Sequence, residues 1–421
     1  MKIRRVSYGW ALALLLSCSA SALAQTTTPT PTPPGQPPPP IQGITTTVET
    51  TTIASTLSQI VGPVGTAHVG DALTLAAQLG MATTPYGAAS GGFLIKLDPS
   101  TGLEVRAATT FGPAFAERAL TSGEGKLSLG ASFQASTFDR LGDAAIDNNL
   151  QVRTTTGATP AASRSGTANL SLKSTTTVMF ARMGVTDNFD IGANVPLVAV
   201  KFSGTSSLKS GVGDILFAQG AANSSGLGDV QGIAKYRFKS FGTGLPDPGG
   251  LAVMATVTVP TGDKDQLRGL GVTRTLLTLI ASSGQARFRP HANAGFGYWS
   301  KGLSVVSDTS GSPTVEARHE YQYAGGFEFE AAPKVTLLVD LLGGGVLKGG
   351  KVAFTSVPDL TGATTSALAA LSEGTTRIDL APGLKANLKG KLLLSLNALI
   401  ALHDTGLHAR VTPVAGIDLT F

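Results

Sequence analysis

Between Lys126 and Phe421 the chain repeats one pattern: an alternating segment of strand length, then a connection, with the connections alternating in length. Twelve segments are legible, at 125–138, 169–184, 188–203, 226–239, 250–261, 272–282, 285–299, 318–331, 334–347, 375–387, 390–402 and 409–421. The connections run long (139–168), short (185–187), long (204–225), medium (240–249), long (262–271), short (283–284), long (300–317), short (332–333), long (348–374), short (388–389) and medium (403–408). A strand has a side-chain period of two, so each segment presents one apolar face and one polar or small face. Most reach the roughly 9–11 residues with which a tilted strand crosses a bilayer. Short turns at one end and long loops at the other are the mark of a transmembrane barrel, the short turns being periplasmic. The expected fold is all-β, a transmembrane antiparallel β-barrel of about 12 strands with both ends on the periplasmic side. Residues 212–219 also have strand character, but a thirteenth strand would break the alternation, so they are assigned to a loop.

Composition agrees. Beyond the N-terminal segment no run of 18 uncharged apolar residues exists, so no membrane helix is evident. Charged residues are only 14%, glycines number 52, and mean hydropathy is slightly positive at +0.19. Strands with lipid on one side and a polar lumen on the other produce this intermediate hydropathy. The formal charge of +5 includes Lys2, Arg4 and Arg5 at the N-terminus, and there is no basic patch interleaved with aromatics. A nucleic-acid partner is therefore not expected.

Lys2, Arg4 and Arg5, the short apolar run Val6 to Leu16, and Ala22-Leu23-Ala24 read as a signal peptide over residues 1–24. The single cysteine, Cys18, lies inside it after Leu15-Leu16-Ser17; a lipidated Cys18 stays open, although cleavage after Ala24 fits better. Cleavage there removes every cysteine, and with it disulfides and thiolate metal sites. Residues 25–43 form a Pro/Thr-rich linker, extended and unpacked. In residues 44–124, Ser55–Ile60 and Asp71–Leu79 are expected as short helices. Phe93–Leu97 and Leu103–Arg106 flank a good turn and are expected as a hairpin. This segment either plugs the barrel or lies in the periplasm; both readings stay open. Residues 125–421 are the barrel.

Strand phase assigns the inward faces. In 226–238, Tyr236 and Phe238 point out while Asp229, Gln231, Lys235 and Arg237 point in. In 285–299, Phe288, Phe296 and Tyr298 point out while Arg287, Arg289, His291 and Asn293 point in. In 318–331, Tyr323, Phe327 and Phe329 point out while Glu320, Gln322, Glu328 and Glu330 point in. Asp340, Arg377, Asp379, Lys385 and Asp418 join this lumen-lining set, with Lys126 and Arg410 as further inward candidates. The hairpin joining the last two of those segments sets Arg287 against Glu330 and Arg289 against Glu328. Such pairs fix register and add modest stability. Closing the barrel is expected to bring Lys126 near Asp418. The inward charges balance, so no bulk selection by sign is expected.

Catalytic constellations are weak. A barrel phospholipase needs Ser, His and Asn facing lipid. Only His291 has an in-phase partner, Asn293, with no serine beside it, and both point inward; no enzyme is expected. His403 and His408 bracket the loop 404–407 and are read as solvated loop residues rather than a metal pair. Gly226-Leu227-Gly228 lacks a following GK[ST] and opens a strand. No metal and no cofactor are expected.

The last segment places Ala415, Ile417, Leu419 and Phe421 on one oily face and stops on the aromatic. It resembles the assembly signal of bacterial outer-membrane barrels, with Ile417, Leu419 and Phe421 as its residues, and implies the barrel-assembly machinery and outer-membrane lipid as partners. The phrases GLGDVQGIAKYRF (226–238), VTVPTGDKDQLRGLG (257–271), FEFEAAPKVTLLVDLLG (327–343) and LKGKLLLSLNALIALHDTGLHARVTPVAGIDLTF (388–421) resemble the meta-pathway phenol-degradation family, within the fatty-acid-transporter-type barrels. Upstream, GFLIKLDPSTG (92–102) and FGPAFAERA (111–119) are similar to its N-terminal part. The resemblance implies a bacterial outer-membrane channel for passive uptake of small solutes, hydrophobic or aromatic compounds among them. The competing reading is a structural or surface-interaction barrel with a filled lumen and no transport.

Overall fold

The alternating segments pair into a closed barrel in the computed structural model, which describes residues 46–48, 52–66, 68–87, 92, 94–97, 102–157, 163–210, 213–284, 287–306, 314–358, 364–389 and 391–421. The expected signal peptide, Cys18 and the linker lie outside the described residues. The barrel strands are β1 (Leu127–Phe138), β2 (Arg164–Thr186), β3 (Phe189–Ser210), β4 (Val230–Ser240), β5 (Gly249–Val259) and β6 (Arg274–Ser283). They continue with β7 (Phe288–Trp299), β8 (Thr314–Ala332), β9 (Val335–Pro358), β10 (Thr364–Lys389), β11 (Leu392–Ala401) and β12 (Val411–Thr420). Each pairs antiparallel with its neighbours in sequence. The ring closes where β12 meets β1. Closure leaves no strand edge at that seam, the condition for a β-structure in lipid.

Alternation sorts the side chains as a membrane demands. Every barrel strand carries an exposed large apolar residue, among them Phe133, Met179, Ile191, Tyr236, Val257, Leu277, Phe296, Phe327, Leu341, Leu384, Leu396 and Ile417. The intervening positions are buried and mostly polar, as in Ser128, Ser132, Gln134 and Ser136 of β1. The outer surface is therefore built for lipid.

Three expectations are corrected. Residues 212–219 are not a loop: Gly213–Leu227 is a strand paired with β3. It lies in line with β4, which takes over the pairing at Gln231↔Asn194. It prolongs a barrel strand across a break at 228–229, so the long–short alternation survives. The long loops 139–168 and 348–374 are likewise partly strand, because β9 and β10 run on past the membrane band. A separate strand, Leu150–Thr156, bridges β2 and β10 above the shorter β11, β12 and β1. Finally, Asp418 stands opposite Gly130, and the backbone of Leu127 already bonds Phe421. Lys126 is thus about 13 Å along β1 from the expected partner, at roughly 3.3 Å per residue.

Two helices pack into the loop end. Helix α1 (Ile53–Val61) starts at Thr52, whose side chain accepts from Ser55 N–H. Helix α2 (Val69–Ala82) has Asp71 in its first turn, which suits the helix dipole. Ile53, Leu57, Ile60 and Leu73 cluster with Leu150 of the bridging strand, Leu170 of β2, and Val200 and Phe202 of β3. Leu75 and Leu79 pack on Leu270, Trp299 and Val346. Each such Leu or Ile contributes about 1.5–3 kcal/mol by leaving water. The expected hairpin is present as Ile95–Leu97 paired with Glu104–Arg106.

Leu277, 57% exposed in the middle of β6, tests the lipid face. Leu277→Arg is expected to lower stability in lipid vesicles by about 2–4 kcal/mol, with Leu277→Val near neutral, as measured by denaturant unfolding.

Candidate functional site

Cross-strand register composes the inner wall row by row. Nearest the loop end, Asn194, Gln231, Thr258, Arg274 and Trp299 lie side by side. In the next row Arg182 faces Gly192, followed by Ile233, Thr256, Leu276, Gly297 and Glu320. Below it come Asp190, Lys235, Met254, Thr278, Gly295 and Gln322, then Gly344 and Arg377. Two glycines in these rows are spatial partners of large charged residues. Arg182 lies across Gly192, and Glu320 fills the space beside Gly297. The rows surround a chamber of about 210 Å³, bounded by Thr84 to Tyr86 beyond α2 on one side and by Phe115 and Glu117 on the other.

Residues 107–122 run inside the barrel on the turn-end side of this chamber. They have no regular secondary structure, so their backbone groups need partners from the wall. Asp340 Oδ2 accepts from three successive N–H groups, Ala114 (3.1 Å), Phe115 (3.0 Å) and Ala116 (3.3 Å). Its other oxygen lies 2.7 Å from His291 Nε2. Gly112 N–H donates to Glu328 Oε2 at 2.8 Å. Asn293 exchanges two bonds with the Glu117 backbone, at 2.7 and 2.8 Å. Lys385 Nζ donates to Pro113 O at 2.7 Å. The segment's own charges complete the contacts: Glu117 meets Arg182 at 3.1 Å and Lys235 at 3.3 Å. Arg118 lies 3.7 Å from Glu328. Gly123 and Gly125, with φ of +93° and +71°, then turn the chain into β1.

The candidate residues fall into several environments. Lys235, His291, Glu328, Asp340 and Lys385 are buried against residues 107–122. Gln231, Glu320 and Arg377 line the chamber; Gln231 accepts from Asn194 at 2.9 Å, and Arg377 pairs with Asp379 at 2.7 Å. Arg237 makes a bidentate pair with Asp247 in the 241–248 turn, at 2.6 and 2.7 Å, and Arg289 donates to the Asp247 carbonyl. Asp229 sits at the break before β4 and accepts from Gly262 and Leu270 N–H, both at 3.0 Å, so it anchors loop 260–273. Asp418 accepts from Thr420 Oγ1 at 3.4 Å. Arg287 is exposed in the turn before β7, beside Glu330 at the rim. Arg410 is exposed as well and pairs with Asp139 at 2.6 Å.

The registers Arg289↔Glu328 and Arg287 opposite Glu330 are present. The expected Arg289–Glu328 ion pair is not, because Glu328 is engaged by Arg118 and Gly112 while Arg289 turns to Asp247. His403 and His408 are not solvated. Their rings lie 4.6 Å apart, and each Nδ1 donates to a backbone carbonyl, of Thr405 and Gly406. Burial, then His408, lowers His403 to about 4, so it stays neutral. Among the described residues no group of three metal-ligating side chains forms. Arg182, Asp190 and Arg274 were missed, though the strand phase that found Lys235 would have found them. Glu117 and Arg118 carry no such signal, since residues 107–122 have no periodicity.

No family model matches the chain, and no curated protein matches it. Solved structures similar to it include an outer membrane channel from Pseudomonas putida F1, at 12% identity and TM-score 0.45, covering 72% of this chain and 98% of that one. Others are the toluene transporter TbuX of Ralstonia pickettii (14% identity, TM-score 0.35, 71% of this chain and 90% of that one) and a FadL homologue from Pseudomonas aeruginosa (11%, 0.31, 79% and 96%). The barrel described here rests on its own strand pairing.

Asp340→Ala leaves three N–H groups and His291 buried without their acceptor and is expected to cost about 3–5 kcal/mol, read by denaturant unfolding. Limited proteolysis should then cut within 107–122. Glu117 supplies a pH dependence. Burial alone would raise its pKa, but Lys235, Arg182 and Arg118 outweigh it and hold the carboxyl below its ordinary value. The stability it contributes is present above the unfolded pKa and is lost as pH falls through the folded one. Proteolysis of 107–122 should therefore begin only below about pH 4, and Glu117→Gln should abolish that transition.

Proposed function

We propose that this chain is a bacterial outer-membrane channel through which small solutes, hydrophobic or aromatic compounds among them, diffuse inward, with residues 53–122 as its plug. The observation that carries this reading is the contrast between outside and inside. A lipid-facing belt on all twelve strands encloses a polar wall, and the segment that fills it is held on the turn-end side by hydrogen bonds and ion pairs rather than by a continuous apolar core. Such contacts to charged groups contribute about 1.5–3 kcal/mol each, and water can replace them when both partners are hydrated together, so a segment held this way can be displaced. The sequence phrases and the apolar side of the chamber, Ile233, Met254 and Leu276, support the solute class. The outward Ile417 and Phe421 support the reading of the last strand as the signal for the barrel-assembly machinery, met before the barrel closes. The short turns face the periplasm and the helices lie toward the cell surface.

Single-channel recording in planar bilayers tests the reading. The mature chain is expected to open rarely, and Glu117→Gln combined with Asp340→Asn should raise open probability about ten-fold, the effect of weakening contacts worth some 1.4 kcal/mol. Silence from both proteins, each still showing folded-barrel mobility on unheated gels, would favour a filled structural barrel without transport.

A further inference from the structure

The outer face carries a polarity gradient that transport does not use. On β2, β3 and the strand Gly213–Leu227, cross-strand register sets the outward residues in rows. Toward the turn end the rows are apolar, with Met183 opposite Ile191 and Met179 opposite Val195, and Leu197 is exposed above them. The row after Thr175 and Ala199 is Lys173, Lys201 and Asn223. Beyond it come Ser171, Ser203 and Ala221, then Asn169, Thr205 and Gln219. The inward neighbours Leu170, Leu172, Val200 and Phe202 are buried, so the lysines, hydroxyls and amides form the outer surface. From Ile191 to Lys201, at roughly 3.3 Å per residue and a tilt of about 40°, β3 rises about 25 Å, the height of a lipid-facing band. Lys173 and Lys201 therefore stand where the hydrocarbon ends, on the loop-end side. Both are exposed, and neither has a carboxylate partner among the described residues. Like charges directly opposite on neighbouring strands repel, and an anion between them removes that cost.

Just past the lysines the same strands form a shallow concavity of about 520 Å³, lined by Asn169, Ser171, Ser203, Thr205 and Gln219. Asp147 is the carboxylate there, on the side of Leu170, whose N–H donates to Ile146. Asn169 is bonded to Asn149, while Ser171, Ser203, Thr205 and Gln219 have no side-chain hydrogen bond among the described residues. Hydroxyls and amides both donate and accept, as sugar hydroxyls do. We propose that this surface binds a phosphorylated glycolipid of the outer leaflet. Its acyl chains lie along the apolar rows, a phosphate sits between Lys173 and Lys201, and its sugars fill the concavity. Lysine binds phosphate as a point charge, and its stem can lie along the apolar surface below. The three parts of such a lipid meet the three kinds of row in order, which a free phosphate does not. The inference rests on the barrel standing with its loop end outward; it does not depend on conduction.

Native mass spectrometry of the full mature chain in detergent tests this, with bisphosphorylated lipid A, lipid A stripped of its phosphates and phosphatidylglycerol as probes, and inorganic phosphate as competitor. Bisphosphorylated lipid A is expected to bind saturably, about ten-fold tighter than either other lipid. Lys173→Gln and Lys201→Gln should each weaken it about ten-fold, the worth of one hydrogen bond to a charged group. Lys239→Gln, exposed at the turn end, should leave it unchanged. Folded-barrel mobility on unheated gels verifies each variant. Equal binding with and without the phosphates overturns the proposal in the unmodified protein, as does a double variant that binds like it. Phosphatidylglycerol binding as tightly as lipid A, or inorganic phosphate displacing lipid A at equal concentration, also overturns it, since the sugar rows would then contribute nothing. A chain that conducts without this preference loses the site and keeps the channel. One that binds lipid A in this way but never conducts keeps the site and sinks the channel.

Discussion

A peptide without secondary structure cannot lie inside a membrane protein unless something accepts its N–H groups, and here Asp340 accepts three of them, with Thr336, Glu328, Asn293, Ser282 and Asp190 taking one each. The Asp340 carboxylate, fully buried in the wall, takes three successive amides on one oxygen and His291 on the other. The position depends in turn on Gly326 in the adjacent strand, where a Cβ would fall 2.6 Å from the carboxylate and 2.9 Å from the imidazole. With residues 114–116 fixed at this height, Glu117 meets Arg182 and Lys235, and Arg118 lies beside Glu328. The chamber above exists because this floor stops where it does.

Strand number, sidedness and facing were legible because a lipid-exposed strand has to alternate. That same requirement set Arg289 opposite Glu328 and Tyr236 outward. What it could not reveal is which inward charge meets which. Arg289 and Glu328 are neighbours in register and yet pair elsewhere, because residues with no periodicity, Arg118 and the 241–248 turn, compete for them. The extensions of β3, β9 and β10 were hidden for a related reason. In the extension of β10 the successive residues Ala367 to Ala370 are all buried, so the alternating contrast vanishes there. Lys126 does not meet Asp418 because the backbone pairing of Leu127 with Phe421, which no charge pattern reveals, sets the register at the seam.

Glycine is as much a part of the interior as charge. Gly192, Gly297 and Gly326 each surrender their side-chain volume to a charged neighbour on the next strand. On the outer face Gly343 does the same for the ring of Tyr323. Large ionic side chains can then lie flat against the wall instead of projecting across it, which leaves room for both the threaded segment and the chamber. Glycine directly opposite Arg, Glu or Asp on the neighbouring strand is a pattern that sequence alone can supply once register is known.

The filling of this barrel is made of two materials. Toward the loop end it is apolar, with Ile53, Leu57 and Ile60 on Phe202 and Val200; toward the turn end it is ionic, with Glu117, Arg118 and Asp340 in a polar wall. Apolar contacts weaken on cooling and dominate the heat capacity of unfolding. Ionic contacts hold in the cold, and where water reaches them they answer to dissolved salt. One continuous stretch of chain is thus fastened at its two ends by forces with different temperature and salt responses, and the medium around the barrel decides which fastening is the weaker.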